Sequence, residues 1–189
     1  MDDAFAKGIN FVFAKEYILQ KYPEPIWDKA LNNIPEEYVL VWKNASMNGC
    51  YSFNAFKAMV NAISTLVNIK SKEEYSKLYE YIADKSLNTI YKIFFKLTQP
   101  AFVISKYPIL WNRFFIIGEI KITFTEKGAA NLNFILPEIF NDWIEAACYG
   151  YSKKAIDLSG GRNMLQQMIS QKKIDEDKWE SVFKIMWNE

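Results

Sequence analysis

The sequence predicts an α+β fold, with an N-terminal helical lobe of five to six helices followed by a four-stranded antiparallel sheet in ββαββ order. Three observations predict it. Apolar residues recur at helical spacing through about the first two-thirds of the chain. At Gly118 the pattern changes to strict alternation, which is typical of strands with one buried face. Helical and strand segments are segregated along the chain, which favours α+β over α/β.

Composition predicts one folded unit. Of the 189 residues 50% are hydrophobic, 16% are aromatic and 24% are charged, which excludes a disordered chain. No proline- or serine-rich linker interrupts the sequence. We therefore expect a single domain over residues 1–189, with a helical lobe at 1–117 and a sheet lobe at 118–189.

Prolines mark the first helix boundaries. Residues 5–17 carry an apolar stripe at helical spacing, and Pro23 ends that element. Pro25 and Pro35 mark two further helix starts, because proline suits the first helical position. The N-terminal half of the lobe is therefore predicted to contain three helices.

An apolar stripe and a capping box indicate the next two helices. Residues 52–67 place phenylalanine, valine and isoleucine on one stripe. Ser71 and Glu74 form a capping box, in which each satisfies a free backbone amide of the helix start. The long helix that follows is expected to end before Pro100, and a shorter one is expected at about 107–116.

Two hairpins are predicted after Gly118. Residues 119–126 and 130–136 alternate between apolar and polar side chains, and Lys127-Gly128 supplies the turn between them. A helix is then expected to open at Pro137 and to close at Gly160-Gly161.

The second hairpin is expected at 163–171 and 179–187, with the acidic residues 175–177 in its loop. Trp179, Phe183, Ile185 and Trp187 are predicted to share one face of its return strand. The sheet is therefore expected to have four antiparallel strands.

Charge and hydropathy exclude several partners. The 23 basic and 22 acidic residues give a net charge of +1, which offers no electrostatic basis for nucleic-acid binding. No segment reaches the about 18 uncharged apolar residues of a membrane span. The acidic N-terminal sequence lacks the basic start and apolar core of a secretory signal, so a cytoplasmic location is expected.

The absence of histidine excludes several chemistries. Without it there is no histidine general base, no Ser–His or Cys–His nucleophile pair and no histidine-ligated zinc or haem. Cys50 and Cys148 share no metal-ligand spacing and are expected to be reduced, buried thiols. The sequence therefore assigns no catalytic residue, no metal and no cofactor.

The order of elements resembles that of the H-NOX-like superfamily. The segments that carry the resemblance are Gly8-Ile9-Asn10, residues 96–118 leading into the sheet, residues 143–150, and the C-terminal hairpin ending in residues 183–187. The superfamily contains haem-based sensors of nitric oxide and oxygen. It also contains haem-less relatives, including vinyl-4-reductase-type domains and TRAPP-type vesicle-tethering subunits.

The resemblance implies a scaffold without haem. The sensors hold iron through a histidine, which this chain lacks, and anchor the propionates with a Tyr-x-Ser-x-Arg motif. Arg113 does not complete that motif, and Arg162 has Gly160 and Leu158 at the required positions. The cysteine cluster of vinyl-4-reductase-type relatives is also absent. TRAPP-type relatives can carry an acyl chain on a buried cysteine, for which Cys50 is the nearer candidate.

Six residues are candidates for ligand binding. Arg113 lies among aromatic residues and could bind a carboxylate, although it also fits the solvent-exposed face of an amphipathic helix. Tyr149 and Tyr151 flank Gly150 and could bond a ligand, or pack their rings and expose their hydroxyls. The candidate set is Trp111, Arg113, Phe115, Tyr149, Tyr151 and Arg162.

Three functions are compatible with these features. The first is a non-catalytic, haem-free sensory module with an apolar cavity for a small hydrophobic or aromatic molecule, which signals by conformational shift. The second is a protein-interaction or scaffold subunit, with a filled core and a protein partner or a homodimer. The third is an enzyme that uses tyrosine, lysine or carboxylates in place of histidine.

Overall fold

A computed structural model describes residues 4–96 and 99–188, excluding the side chains of residues 88–96. Helices dominate the first part of the chain, and strands dominate the second. In chain order, the elements are β1 (Phe5–Lys7), α1 (Gly8–Lys21), α2 (Glu24–Asn32), α3 (Glu36–Asn44), β2 (Cys50–Ser52), α4 (Phe53–Val67), α5 (Lys72–Lys96), α6 (Pro100–Ser105), α7 (Tyr107–Phe114), β3 (Glu119–Glu126), β4 (Ala129–Leu136), a 3₁₀ turn (Glu138–Phe140), α8 (Ile144–Leu158), β5 (Arg162–Asp175) and β6 (Lys178–Asn188).

The predicted α+β class and the ββαββ order are confirmed. The helical part contains seven helices over the described residues, rather than five or six. The additional helix is α6, in which Pro100 takes an early helical position where its missing N–H costs nothing. The chain ends that helix at Ser105 and starts α7 two residues later.

The first strand differs from the expected helix. Phe5 is predicted to begin the first helix, but it lies in β1, which pairs antiparallel with β2 through Phe5 and Ser52. The helix begins only at Gly8, which packs so closely on the carbonyl oxygen of Ser46 that a Cβ atom would overlap it. A pairing between distant segments thus overrides the local helical pattern.

The four-stranded sheet has the order β3-β4-β6-β5, with all neighbours antiparallel. Gly128 makes the first turn with a φ of +74°, which favours glycine. Leu132 of β4 lies opposite Phe183 of β6, and both are fully buried. The predicted face of β6 is confirmed, and both strands of the second hairpin extend beyond their expected ends.

Capping confirms two helix starts, and a third differs. The Ser52 hydroxyl accepts a hydrogen bond from the Asn54 N–H (3.2 Å), and Ser71 does the same for Glu74 (3.1 Å). The helix expected to open at Pro137 begins later, at Ile144. A 3₁₀ turn precedes it and brings the rings of Phe140 and Trp143 together, with centroids 5.7 Å apart.

The two cysteines differ in environment. Cys148 is buried on α8 as expected, but Cys50 is exposed on β2, which corrects the expectation that both thiols are buried. Cys50 begins the short strand β2 and is its one exposed residue. Neither cysteine forms a disulfide.

None of the described helices combines the length and apolarity needed to cross a membrane. Within the same residues, no group of three or more acidic or cysteine side chains is placed to hold a metal ion.

Candidate functional site

Five aromatic side chains fill the space between the helices and the sheet, and we call them the aromatic layer. Phe53 stacks on Phe140 with ring centroids 4.2 Å apart, and Trp143 meets Phe53 edge-on at 5.0 Å. Phe115 lies 5.2 Å from Trp143 and 4.3 Å from Trp111. These offset and edge-on geometries are the favoured ones for aromatic pairs. The layer therefore joins α4, α7 and the start of α8 by direct ring contact.

The interior recess next to the aromatic layer is small. Its volume is about 20 Å³, whereas pockets for small organic ligands measure about 300–1,000 Å³. It is lined by Leu87, Tyr107, Leu110, Trp111, Phe114, Phe115, Tyr151 and Ala155. Over the described residues, this recess is therefore too small for a ligand of that size.

The structure brings three of the six candidate residues together. Trp111, Phe115 and Tyr151 surround the interior recess and are buried. Tyr149 is half-buried and does not line that recess. The side chains of both arginines, Arg113 and Arg162, are exposed.

Internal hydrogen bonds satisfy the polar atoms of the buried candidates. The indole N–H of Trp111 donates to the carbonyl oxygen of Ile117 (2.8 Å). The Tyr151 hydroxyl donates to Asn10 Oδ1 (2.9 Å), and the Asn10 amide donates to the carbonyl oxygen of Phe114 (2.8 Å). Burial raises the pKa of Tyr151 well above its usual value, so the hydroxyl stays neutral. These bonds tie α8 to α1 and α7.

Replacing Tyr151 by phenylalanine should lower the free energy of unfolding by about 1–3 kcal/mol, because Asn10 Oδ1 would be left buried without a donor. The matched control is Tyr149→Phe on the same helix, where the half-buried ring should leave stability within about 0.5 kcal/mol. Urea denaturation followed by circular dichroism measures both. Equal losses in the two variants would contradict the assigned hydrogen bond.

A larger pocket opens at the surface beside the same layer, and we call it the Trp143 pocket. Its volume is about 310 Å³, and it lies where α5 and α8 begin against α4. Its lining residues are Lys57, Asn61, Ile69, Lys70, Ser71, Lys72, Tyr75, Asp142, Trp143, Glu145 and Ala146.

Paired charges form the walls of the Trp143 pocket. Lys57 Nζ lies 2.6 Å from Asp142 Oδ1 and also donates to the carbonyl oxygen of Ile139 (2.8 Å). Lys72 Nζ lies 2.6 Å from Glu145 Oε2. The pocket thus presents both signs of charge, and each pair crosses between the α4–α5 region and the start of α8.

Buried polar side chains lie beneath these charges. The rings of Trp143 and Tyr79 meet edge-on with centroids 5.3 Å apart, and both side chains are buried. Burial raises the pKa of Tyr75 to about 12 and that of Tyr79 well above its usual value, so both hydroxyls are neutral donors.

Sequence reasoning did not find this pocket. It gave no binding role to Trp143, Tyr75, Lys57 or Asp142. The lysine and aspartate lie on α4 and just before α8, and the Lys57–Ile139 hydrogen bond spans 82 positions. Residues so far apart in the sequence form no local pattern, so their contact is seen only in the folded structure.

No protein-family model and no curated protein matches the sequence. Solved structures match over nearly its whole length. An Fe(II) unliganded H-NOX protein from K. algicida has a TM-score of 0.70 at 15% identity, covering 97% of each chain. The I5F mutant of T. tengcongensis H-NOX has a TM-score of 0.70 at 7% identity, covering 97% of this chain and 98% of that one. An oxygen-binding H-NOX domain related to soluble guanylate cyclases gives 0.66 at 7% identity, with coverages of 96% and 93%.

Proposed function

From the H-NOX-like fold of this chain, we infer that it is a non-catalytic, haem-free sensory module that binds a small molecule in the Trp143 pocket. The observation that supports this proposal is that Trp143 belongs both to the pocket wall and to the aromatic layer. A ligand that contacts Trp143 would favour one packing of the helices against the sheet. Such a differential contact shifts a conformational population that a partner can read.

The residues around the aromatic layer do not fit haem. Stacked rings fill the layer, and the chain has no histidine to bind iron. Cysteine binds haem iron as a thiolate, but burial raises the pKa of the Cys148 thiol to about 12, so it stays protonated. The Tyr151 hydroxyl already donates to Asn10. These features support the haem-free assignment.

The sequence candidates take a different role in this proposal. Trp111 and Phe115 lie 6.5 and 5.2 Å from Trp143 by ring centroids. Trp111 also contacts Phe134 of the sheet at 5.7 Å. We propose that these rings transmit a change at the Trp143 pocket to the sheet, while the ligand itself binds on the outer side of Trp143.

Haem titration tests the haem-free part of the proposal. Adding haemin to the purified protein should give only the spectrum of free haemin, because the rings leave no space and no axial ligand. A sharp Soret band that saturates at one haem per chain would contradict the proposal.

A pocket-filling variant tests the binding part. Native mass spectrometry after incubation with the low-molecular-mass fraction of a cell extract should show a bound small molecule. Asn61→Trp, which fills the pocket from the exposed face of α4, should abolish the adduct. The control Thr65→Trp places the same ring one turn further along α4, at a residue that does not line the pocket, and should retain it. No adduct, or the same adduct in both variants, would overturn the assignment.

A protein-interaction module with a filled core is the second candidate. The observation that favours it is on the edge strand β5, where Leu165 and Ile169 are 63% and 52% exposed. Apolar side chains on an edge strand favour association with another chain. Light scattering of the wild type and of Leu165→Asp tests this candidate. A molecular mass above that of the monomer in the wild type, and a lower mass in the variant, would support it.

A further inference from the structure

We infer that the exposed side of α6 and α7 docks on a membrane surface rich in anionic lipids. We call this side the α6–α7 face, and it consists of Phe102, Lys106, Ile109, Arg113 and Ile116, which are all exposed. The inference goes beyond the proposed function, because the face shares no residue with the Trp143 pocket.

The residues of the α6–α7 face form one continuous stripe. Successive members are three or four positions apart, which places them on the same side of a helix. Lys106 joins the two helices with a φ of −90° and a ψ of 0°. The N–H groups of Ile109 and Leu110 both donate to its carbonyl oxygen (3.0 Å). Hydrogen-bonded turns therefore continue from α6 into α7, and the stripe crosses the junction without a break.

Three large apolar side chains of the face are exposed. Phe102, Ile109 and Ile116 are 48%, 60% and 57% exposed. The exposed side of a helix in a globular protein normally carries polar residues, and clustered apolar side chains there indicate an interaction surface. The opposite side of α7 already packs in the core through Trp111 and Phe114. The three exposed side chains therefore gain further burial only by contact with another surface.

The charge of the α6–α7 face has one sign. Lys106 and Arg113 are exposed between the apolar residues, and Lys106 Nζ lies 5.0 Å from the centroid of the Phe102 ring. The sequence from residue 85 to residue 118 contains basic residues but no aspartate or glutamate. A partner that is both anionic and apolar complements this face, whereas a second copy of it would bring like charges together.

The sheet surface differs from the α6–α7 face in its charges. Lysines of the sheet lie close to acidic side chains, as in Lys172–Glu180 (3.1 Å) and Lys184–Glu126 (3.2 Å). Protein interfaces also match charges pair by pair, so they commonly contain both signs. A leaflet rich in anionic lipids is negative throughout, which suits a face that carries cations alone. Lysine and arginine stems also reach from an apolar contact to the level of the lipid headgroups. These observations favour a lipid surface over a protein partner.

Vesicle sedimentation tests the inference on the full chain. Vesicles of phosphatidylcholine mixed with phosphatidylserine should sediment the wild-type protein. The affinity for vesicles of phosphatidylcholine alone should be about tenfold lower, because they lack the anionic headgroups that attract the two cations. Raising the salt concentration should release the bound protein, since salt screens this attraction.

Ile109→Ser and Leu40→Ser test the apolar part of the contact. Ile109 is 60% exposed on the α6–α7 face, and Leu40 is 59% exposed on α3. Ile109→Ser should lower the affinity for the mixed vesicles about fivefold or more, because serine loses the apolar contact with the lipid. Leu40→Ser should leave the affinity unchanged. Both variants should keep the urea midpoint of the wild type, because both side chains are exposed.

Lys106→Glu and Lys173→Glu test the charged part. Both substitutions change the net charge by the same amount, but Lys173 is exposed on β5, outside the α6–α7 face. Lys106→Glu should weaken binding to the mixed vesicles about tenfold, because an attraction is replaced by a repulsion. Lys173→Glu should weaken it by no more than about twofold, since it changes only the long-range attraction.

Three outcomes would overturn the inference. They are no sedimentation with either vesicle, equal affinity for the two vesicles, and equal losses within either pair of variants. If the vesicles are not bound but Ile109→Ser removes a protein captured from a cell extract, the face docks a protein and the lipid inference is wrong. If Ile109→Ser instead lowers the molecular mass in light scattering, the occupant is a second copy and the inference is equally wrong.

Discussion

Replacing Trp143 by alanine should lower the free energy of unfolding by about 3–5 kcal/mol, the cost typical of removing a buried tryptophan. Trp143 is 2% exposed and contacts the rings of Phe53, Phe115 and Phe140. Alanine would leave a cavity at the point where α4, α7 and α8 meet. Urea denaturation followed by circular dichroism measures the loss.

Ile169→Ala is the control for this substitution. Ile169 is an exposed apolar residue of β5, so its truncation should change stability by no more than about 0.5 kcal/mol. A loss of less than about 1 kcal/mol in Trp143→Ala would mean that the aromatic layer does not join the helices to the sheet.

Gly150→Ala should destabilise the protein by about 1–3 kcal/mol, the range expected for overpacking. An alanine Cβ at this position would lie 2.6 Å from the carbonyl oxygen of Ser76 and 2.7 Å from Tyr79 Cβ, so α8 would have to move away from α5. Helix propensity alone gives the opposite sign, since alanine is favoured over glycine inside a helix by about 1 kcal/mol.

The sign of the change in urea midpoint decides between these two effects. A lower midpoint with an unchanged slope confirms that Gly150 permits close packing of α8 on α5. A higher midpoint would show that α8 can move away from α5 without lowering the free energy of unfolding. The close contact of Gly150 with Tyr79 would then not be needed for stability.

Local signals predicted most of the sheet. Residues 119–126 and 130–136 alternate because β4 buries every second side chain and because Gly128 can adopt the positive φ of the turn. The start of α5 was predicted because Ser71 bonds to a backbone amide within its own turn, and α4 was predicted from the apolar stripe of residues 52–67. Each of these patterns depends only on residues that are close together in the sequence.

Features that depend on distant contacts were not predicted. Phe5 fits a helical stripe, but its backbone pairs with Ser52, nearly fifty positions away, and forms β1. Cys50 has apolar neighbours in sequence, yet it is exposed at the start of β2. The order of elements predicted the fold correctly, whereas the environments of single residues such as Cys50 were not predicted. The H-NOX-like topology is a property of the whole chain.

The candidate site shows the same limit. Arg113 is one of the two arginines of the chain, and it was a candidate for ligand binding because aromatic residues surround it in the sequence. Its side chain is exposed. The Trp143 pocket is built from ion pairs such as Lys72–Glu145, whose members are 73 positions apart. Sequence spacing carries no information on such a pair until the fold brings α5 and α8 together.

The six indole N–H signals in a ¹⁵N-correlated NMR spectrum test the central claim most directly, once Trp143→Phe has identified the signal of Trp143. On addition of the low-molecular-mass fraction of a cell extract, the Trp143 signal should move. That of Trp42 should stay in place, because its N–H group donates to the carbonyl oxygen of Ala55 outside the aromatic layer. Movement of the Trp111 signal alone would place the ligand in the interior recess, and no movement at all would contradict a ligand site at Trp143.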